Sequence, residues 1–392
     1  MADRARKIQE LTITIVAAAL IAGGTAAPAA AQEAPGVTLK ASQTAIEFGD
    51  SVRLFGEISP PAEGETVSIV DELGRERAST TTDASGAYTV RVSPRVTSNF
   101  HARWLAALSE PVRVRVRPKV RVVLKQVRLF GRARIVGSVR PVQDSGRVSL
   151  KLFRSGRRQW QRAVPLRRGQ SFRTRFAVKR PGTYKVRASF TDPKGATGGD
   201  ASATRTTALP SLGPGSEGIH VVLLERRLRK LGYHLDGADR SYTERTADAM
   251  RAFNKVERRA RLGSVDEATW RSLASAHRPG ARYDSNGFHI EIDQTRQVLF
   301  TVRDGRVERT IHVSTGRSGY TPDGTWQIYR KIAGYSGGGL YYPSYWEGRR
   351  AIHGWPEVPT YNASHGCTRV PMWTAQWIYG KAKMGTTVRI YH

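Results

Sequence analysis

The sequence predicts a multidomain, mainly β protein: two tandem Ig-like β-sandwiches, a small three-helix bundle and a C-terminal, mostly β domain. Three observations carry that reading. Short alternating segments separated by turn residues run from Gly36 to about residue 205, and their second half repeats the first. Helical periodicity then occupies 216–277. Strand patterns resume from 285 to the end, and among them sits the only cysteine of the 392 residues.

Residues 1–31 read as an export signal. Arg4, Arg6 and Lys7 form a positive start, 11–22 is apolar, and Ala29-Ala30-Ala31 offers a small-residue cleavage site before Gln32. The apolar run is short beside the ~20 residues of a membrane span. The expected location is therefore extracytoplasmic, in the cell wall or a periplasm-like space. There a lone thiol cannot close an internal disulfide, so it is either intermolecular or reactive.

The first sandwich is expected over 36–118. Alternation over 51–58, a strand at Thr66-Val67-Ser68-Ile69-Val70 and a turn at Asp83-Ala84-Ser85-Gly86 set its rhythm. The second, over 119–205, lines up with it: Thr66-Val67-Ser68-Ile69 with Arg147-Val148-Ser149-Leu150, and Tyr88 with Phe172. Without cysteines, neither copy has the inter-sheet disulfide of antibody domains. The second copy carries most of the charge. From Arg113 to Arg187 there are 24 Lys and Arg against one acid, Asp144, in a chain of formal net charge +30. Arg113, Arg115 and Arg117 alternate with valines and so share a strand face. An anionic wall polymer or lipid surface fits this balance, and export argues against nucleic acid.

Residues 206–215, with Pro210, Gly213, Pro214 and Gly215, read as a linker. In the helical stretch Val221, Leu224, Leu228 and Leu231 form one stripe, which Gly232 ends. A second helix turns Ala247, Met250 and Phe253 inward. A third is expected behind a capping box at Ser264-Val265-Asp266-Glu267 and carries Trp270 and Leu273. Leu-Arg-Lys-Leu-Gly-Tyr at 228–233, Asp236-Gly237 and the following helices resemble the peptidoglycan-binding domain 1 family. That resemblance implies a site for glycan or stem peptide. No His, Cys or Asp cluster has metal-ligand spacing, and no metal or cofactor is expected.

In the last domain His289-Ile290-Glu291-Ile292 alternates, and further strands are expected over 298–302, 307–314, 325–329 and 387–390. The Gly- and Tyr-rich stretch 334–345 reads as a substrate-facing loop, with Tyr341 and Tyr342 as substrate contacts. Pro371 suits the first turn of a helix to about Lys381 that places Trp373 and Trp377 in the core.

The chemistry concentrates in Ala351-Ile352-His353-Gly354 and Ser364-His365-Gly366-Cys367-Thr368-Arg369. A thiolate is the nucleophile that a cysteine offers, and an imidazole near its reference pKa can take and return its proton. Gly366 and Cys367 amides would face an oxyanion, and a carbonyl near Gly354 would orient His353. His-Gly followed by Ser-His-Gly-Cys-x-Arg resembles the YkuD-type L,D-transpeptidase catalytic domain, as do Ser314-Thr315-Gly316 and Thr321-Pro322-Asp323-Gly324 upstream. Two features differ: a somewhat shorter gap between His353 and Ser364, and Thr368 where an aliphatic residue is more common. The resemblance covers about 285–392. It implies a mostly β YkuD fold and acyl transfer through a Cys367 thioester on peptidoglycan stem peptides, with His353 as base. Ser364, His365 and Gly354 would shape the site, and Arg369 would hold a substrate carboxylate. Water as acceptor would make the protein an L,D-carboxypeptidase. From another class, it would be a non-catalytic wall-binding protein. Papain-like peptidases place the nucleophile before the histidine, the reverse of the order here.

Overall fold

The computed structural model describes residues 34–143, 145–191 and 198–392. The leader expected over 1–31 and the acid Asp144 lie outside the described residues. The chain forms two compact units. One comprises the described residues up to Thr44 with Ser51–Ser93 and Thr97–Val114; the other comprises Ala45–Asp50, Pro94–Val96 and Arg115–His392.

In the first unit, strand Val52–Ser59 pairs with Ala87–Val92 and with the short strands Gly36–Val37 and Lys40–Ala41. Strand Thr66–Asp71 lies between Glu76–Thr81 and Ser98–Trp104. Val52, Leu54 and Ile58, like Val67, Ile69, Phe100 and Ala102, alternate along their strands and are buried. Period-two patterning puts such residues on one sheet face.

The second unit begins with the same scheme. Arg132–Arg140 pairs with Ser171–Ala177 and Lys119–Lys125, and Arg147–Arg154 lies between Arg157–Pro165 and Thr183–Thr191, with Gly198–Thr206 beyond. Val120, Leu124, Ile135, Val148, Leu150, Phe172 and Phe190 from both sheets share one core. The alignment of Tyr88 with Phe172 has a physical basis: the rings lie opposite Gly56 and Gly137 on the neighbouring strand. A Cβ at Gly137 would stand 2.2 Å from the Phe172 ring, and one at Gly56 would stand 2.7 Å from the Tyr88 hydroxyl. Only hydrogen fits at either place.

Three helices follow: α1 (Ile219–Leu231), α2 (Glu244–Val256) and α3 (Glu267–Ser275). Val221, Leu224, Leu228, Leu231, Ala247, Met250 and Phe253 fill their core. Gly232 ends α1 in the left-handed region at φ 93°. The cap of α3 is Asp266, whose carboxylate accepts the Thr269 N–H at 2.7 Å, rather than the expected Ser264. Val265 is bridged to Leu212 in extended backbone, so the chain turns into the helix only after it.

The stretch 206–215 is not a free linker. Leu212 is buried in the helical core, and Trp270 Nε1 donates to the Pro210 carbonyl at 2.7 Å. Leu129, from the basic sandwich, is buried in that core as well, and Phe130 packs against it with its ring 6.0 Å from Trp270. Two regions read as separate domains therefore share side chains.

The C-terminal region stacks a five-stranded sheet, in the order Arg306–His312, Val298–Arg303, Phe288–Asp293, Thr387–Tyr391, Gly324–Gln327, near a four-stranded one. The second sheet runs Arg330–Lys331, Tyr341–Glu347, Arg350–Trp355, Thr368–Pro371. Ile290, Leu299, Ile311, Trp346, Ile352, Val370 and Ile390 fill the space between them, with Ala375 and Ile378 of helix α4 (Met372–Lys381). Trp373 and Trp377, expected in this core, are only half-buried. They pack on His234 of the helical region, with ring centroids at 5.0 and 4.3 Å. No helix among the described residues is long and apolar enough to cross a membrane.

Candidate active site

Strands Arg350–Trp355 and Thr368–Pro371 run parallel, pairing Ile352 with Thr368 and His353 with Arg369. Side chains alternate along a strand, so Arg369 and Cys367, two residues apart, share the side that His353 takes from the neighbouring strand. All three line one cleft of about 730 Å³, together with Ser364, His365, Trp355, Arg330, Tyr345 and Arg349. That volume lies within the ~300–1,000 Å³ usual for small-ligand sites.

His353 is 2% exposed, and its Nδ1 lies 2.9 Å from the Gly354 carbonyl. A carbonyl accepts only, so Nδ1 carries the hydrogen and Nε2 keeps its lone pair. Burial pulls the imidazole down to about 4, against the pull of that hydrogen bond, and Arg369 adds to the lowering. The free Cys367 thiol has its Sγ 3.8 Å from the Arg349 carbonyl. Burial raises its pKa, opposed by the Ala351 amide and by Arg369 and Arg350. Thiol and imidazole are therefore both neutral at rest.

The turn before Cys367 is held by its own hydrogen bonds. Ser364 Oγ accepts the Gly366 N–H at 3.0 Å and donates to the Cys367 carbonyl at 2.6 Å. Thr321 Oγ1 donates to the Gly366 carbonyl at 2.9 Å and accepts the Gly316 N–H at 2.8 Å. Gly366 sits at φ 123°, where a Cβ would come within 2.8 Å of Arg350 Nε and the Tyr320 carbonyl. Because its N–H is committed to Ser364, Gly366 shapes this turn and does not supply the oxyanion donor expected of it. Gly354 contributes its carbonyl to His353 and admits α4, since a Cβ there would lie 2.7 Å from Ala375 Cβ.

Arg369 lays its guanidinium 5.1 Å from the Trp355 ring centroid and forms no ion pair among the described residues. His365 lies edge-on to Tyr320 at 6.3 Å. Tyr341 and Tyr342 do not line the cleft. Tyr341 packs against Tyr335 at 4.8 Å and Tyr342 against Tyr379 at 5.1 Å, both beside the core. A register shift between Tyr341 and Ser344 and a positive φ of 47° at Tyr342 break the alternation there. Ser336, Gly337, Gly338 and Leu340 face the cleft instead.

Sequence reasoning missed a second layer, supplied by the helical region. Lys255 of α2 is 2% exposed, and its Nζ donates to the Gln297 and Val313 carbonyls at 2.9 and 2.8 Å and to His312 Nδ1 at 2.6 Å. His312 Nε2 donates in turn to the Val358 carbonyl at 2.8 Å, and burial and Lys255 hold this imidazole well below its ordinary pKa. Arg261 reaches the Thr360 carbonyl, and Ser314 Oγ donates to the Tyr361 carbonyl at 2.6 Å. The segment joining His353 to Ser364 is thus fastened at three successive carbonyls. Among the described residues no group of three or more His, Cys, Asp or Glu gathers as a metal site.

Residues 287–390 match the model of the YkuD family, described as an L,D-transpeptidase catalytic domain. An L,D-transpeptidase structure from Xylanimonas cellulosilytica is 35% identical over 48% of this chain and 100% of that one, with a TM-score of 0.45. One from Stackebrandtia nassauensis is 23% identical over 46% of this chain and 95% of that one (TM-score 0.30). One from Mycobacterium tuberculosis is 20% identical over 27% and 58% (TM-score 0.25). No curated protein matches the sequence.

Proposed function

Because the chain belongs to the L,D-transpeptidase family, with the catalytic domain at its C-terminus, we propose that it transfers acyl groups between peptidoglycan stem peptides through a Cys367 thioester. One observation carries the proposal: a free thiol and an imidazole with its Nε2 lone pair unprotonated share one sheet side and one cleft. His353 Nε2 takes the thiol proton as Sγ attacks the carbonyl of the donor stem's L,D-peptide bond. The Cys367 amide, the one of the two expected donors not bound to Ser364, faces the developing oxyanion. Collapse breaks the C–N bond, and the imidazolium returns its proton to the departing D-Ala amine. An amine of a second stem then attacks the thioester, gives its proton to His353 and frees the thiol. Arg369, over Trp355 and without an ion pair, is suited to a substrate carboxylate.

This reading sets the chain in an extracytoplasmic, wall-facing place. The helical region is its candidate holder of glycan or stem peptide, and the basic sandwich its contact with an anionic component. The test incubates the mature protein, with Cys367→Ala as control, with a purified disaccharide-tetrapeptide and follows products by mass spectrometry. Cys367-dependent acyl-enzyme and cross-linked dimer are expected. Loss of D-Ala without dimer would make water the acceptor and the protein a carboxypeptidase. Neither acyl-enzyme nor product, on substrate that another family member turns over, would leave a wall-binding protein.

A further inference from the structure

We propose that the outward face of the three-stranded sheet in the basic sandwich binds a linear polyphosphodiester polymer of the cell wall. The proposal rests on that face alone and is independent of the acyl-transfer reading. In Lys119–Lys125, Arg132–Arg140 and Ser171–Ala177 the residues at alternate positions point inward to the core, and those between them are cationic. Arg121, Lys125, Arg132, Arg134, Arg140, Arg173 and Arg175 are exposed, and none of the seven forms an ion pair among the described residues. The eighth cation of the face, Lys119, is paired with Glu47 at 2.9 Å.

Register makes this arrangement costly for the protein alone. Lys125, Arg134 and Arg175 lie directly opposite one another in a single row across all three strands, with Arg132 and Arg173 beside them. Like charges in opposed positions destabilise a sheet, and interspersed acids would have kept the surface soluble without that penalty. An anion lying along the rows removes the repulsion.

The form of the patch indicates the anion. Six of the seven are arginines, whose planar fork matches the paired oxygens of a phosphodiester. The strip is about 10 Å wide, and its charges recur about every 6.8 Å along a strand, as an extended chain with repeating charge requires. Between the cations stand only small or β-branched residues: Val123, Val136, Ser138, Ser171 and Ala177. The face therefore has neither the Trp, Phe or Leu that wedges into a bilayer nor the aromatic platforms that stack bases.

The test measures binding of full-length Cys367→Ala protein to purified polyol-phosphate polymer over a salt series. Three proteins are compared: parent, a face variant (Arg134→Gln, Arg173→Gln, Arg175→Gln) and a charge-matched control (Arg91→Gln, Arg95→Gln, Arg240→Gln). The face variant is expected to bind on the order of 100-fold more weakly at low salt, taking about 1 kcal/mol per surface cation near an anionic layer. Its log–log salt slope should flatten by roughly 2, at about 0.7 per lost contact, and the control should bind as the parent does. Equal loss in both variants would reduce the effect to net charge and overturn the proposal. So would tighter, face-dependent binding to phosphatidylglycerol vesicles than to the polymer, or no polymer binding by the parent. Thermal unfolding of all three checks that exposed Arg→Gln changes leave the fold intact. Acyl-enzyme formation by the Cys367 parent is a separate readout, so either reading can fail without the other.

Discussion

His353 sets the pH behaviour expected of the site. Its neutral form is the base, and in the folded protein it loses that form only as pH falls through about 4. Acylation rate should therefore be flat down to about pH 5 and fall about tenfold per unit below 4. Single-turnover acylation across pH 3–8 would check this; an acid limb near 6.5 would mean that the imidazole is not held neutral. The residues responsible were legible in the sequence because one cysteine, one preceding histidine and a glycine-bearing turn leave few assignments. Tyr341 and Tyr342 were not. Their placement depends on a register shift and a left-handed residue, which period-two reading cannot detect. Nor could sequence foresee that Ser364 would occupy the Gly366 amide.

At the scale of elements, α2 does more than complete a three-helix core. It carries Lys255 into the C-terminal region, where three acceptors match the three N–H bonds of an ammonium. Lys255→Met would leave two carbonyls and His312 Nδ1 buried without donors. A loss of about 2–4 kcal/mol is expected, since each orphaned buried acceptor costs about 1–3 kcal/mol and removal of a buried charge offsets part of it. Acylation should slow as well, because His312 would no longer be fixed against Val358. A variant that acylates at the parent rate, measured where both proteins remain folded, would show that this bracing is not needed for turnover. The helix itself was readable from its apolar spacing. Lys255 on it looks like any solvated helix lysine, and only the tertiary contact reveals otherwise.

For the whole molecule, acid should loosen the structure before it unfolds. His234 is 4% exposed, neither ring nitrogen has a partner, and burial pulls its pKa down to about 4. The unfolded chain binds protons at His234 and His353 from about pH 6.5. Folded, both resist until about 4. Their stability contribution is therefore whole above 6.5 and is lost as pH falls from 6.5 to 4, by up to about 3 kcal/mol for each histidine. His234→Phe should narrow the difference in Tm between pH 7 and pH 5, because the phenyl ring keeps the stack on Trp373 and Trp377 and takes up no proton. An unchanged difference would rule His234 out as a source of acid sensitivity. At this scale the strand–helix–strand order and the internal repeat were legible from patterning. The boundaries were not, because Pro and Gly mark a turn equally well whether it is loose or pinned, as 206–215 is by Leu212 and Pro210.

The seating of Leu129 and Phe130 among the helices bears on how the protein would come apart. A protease that nicked the chain within 206–215 would cut the covalent thread but not the grip. The two pieces would still hold one another through side chains that belong by sequence to the sandwich and by packing to its neighbour. Release would require opening the helical core itself, so the cut protein should continue to migrate as a single particle.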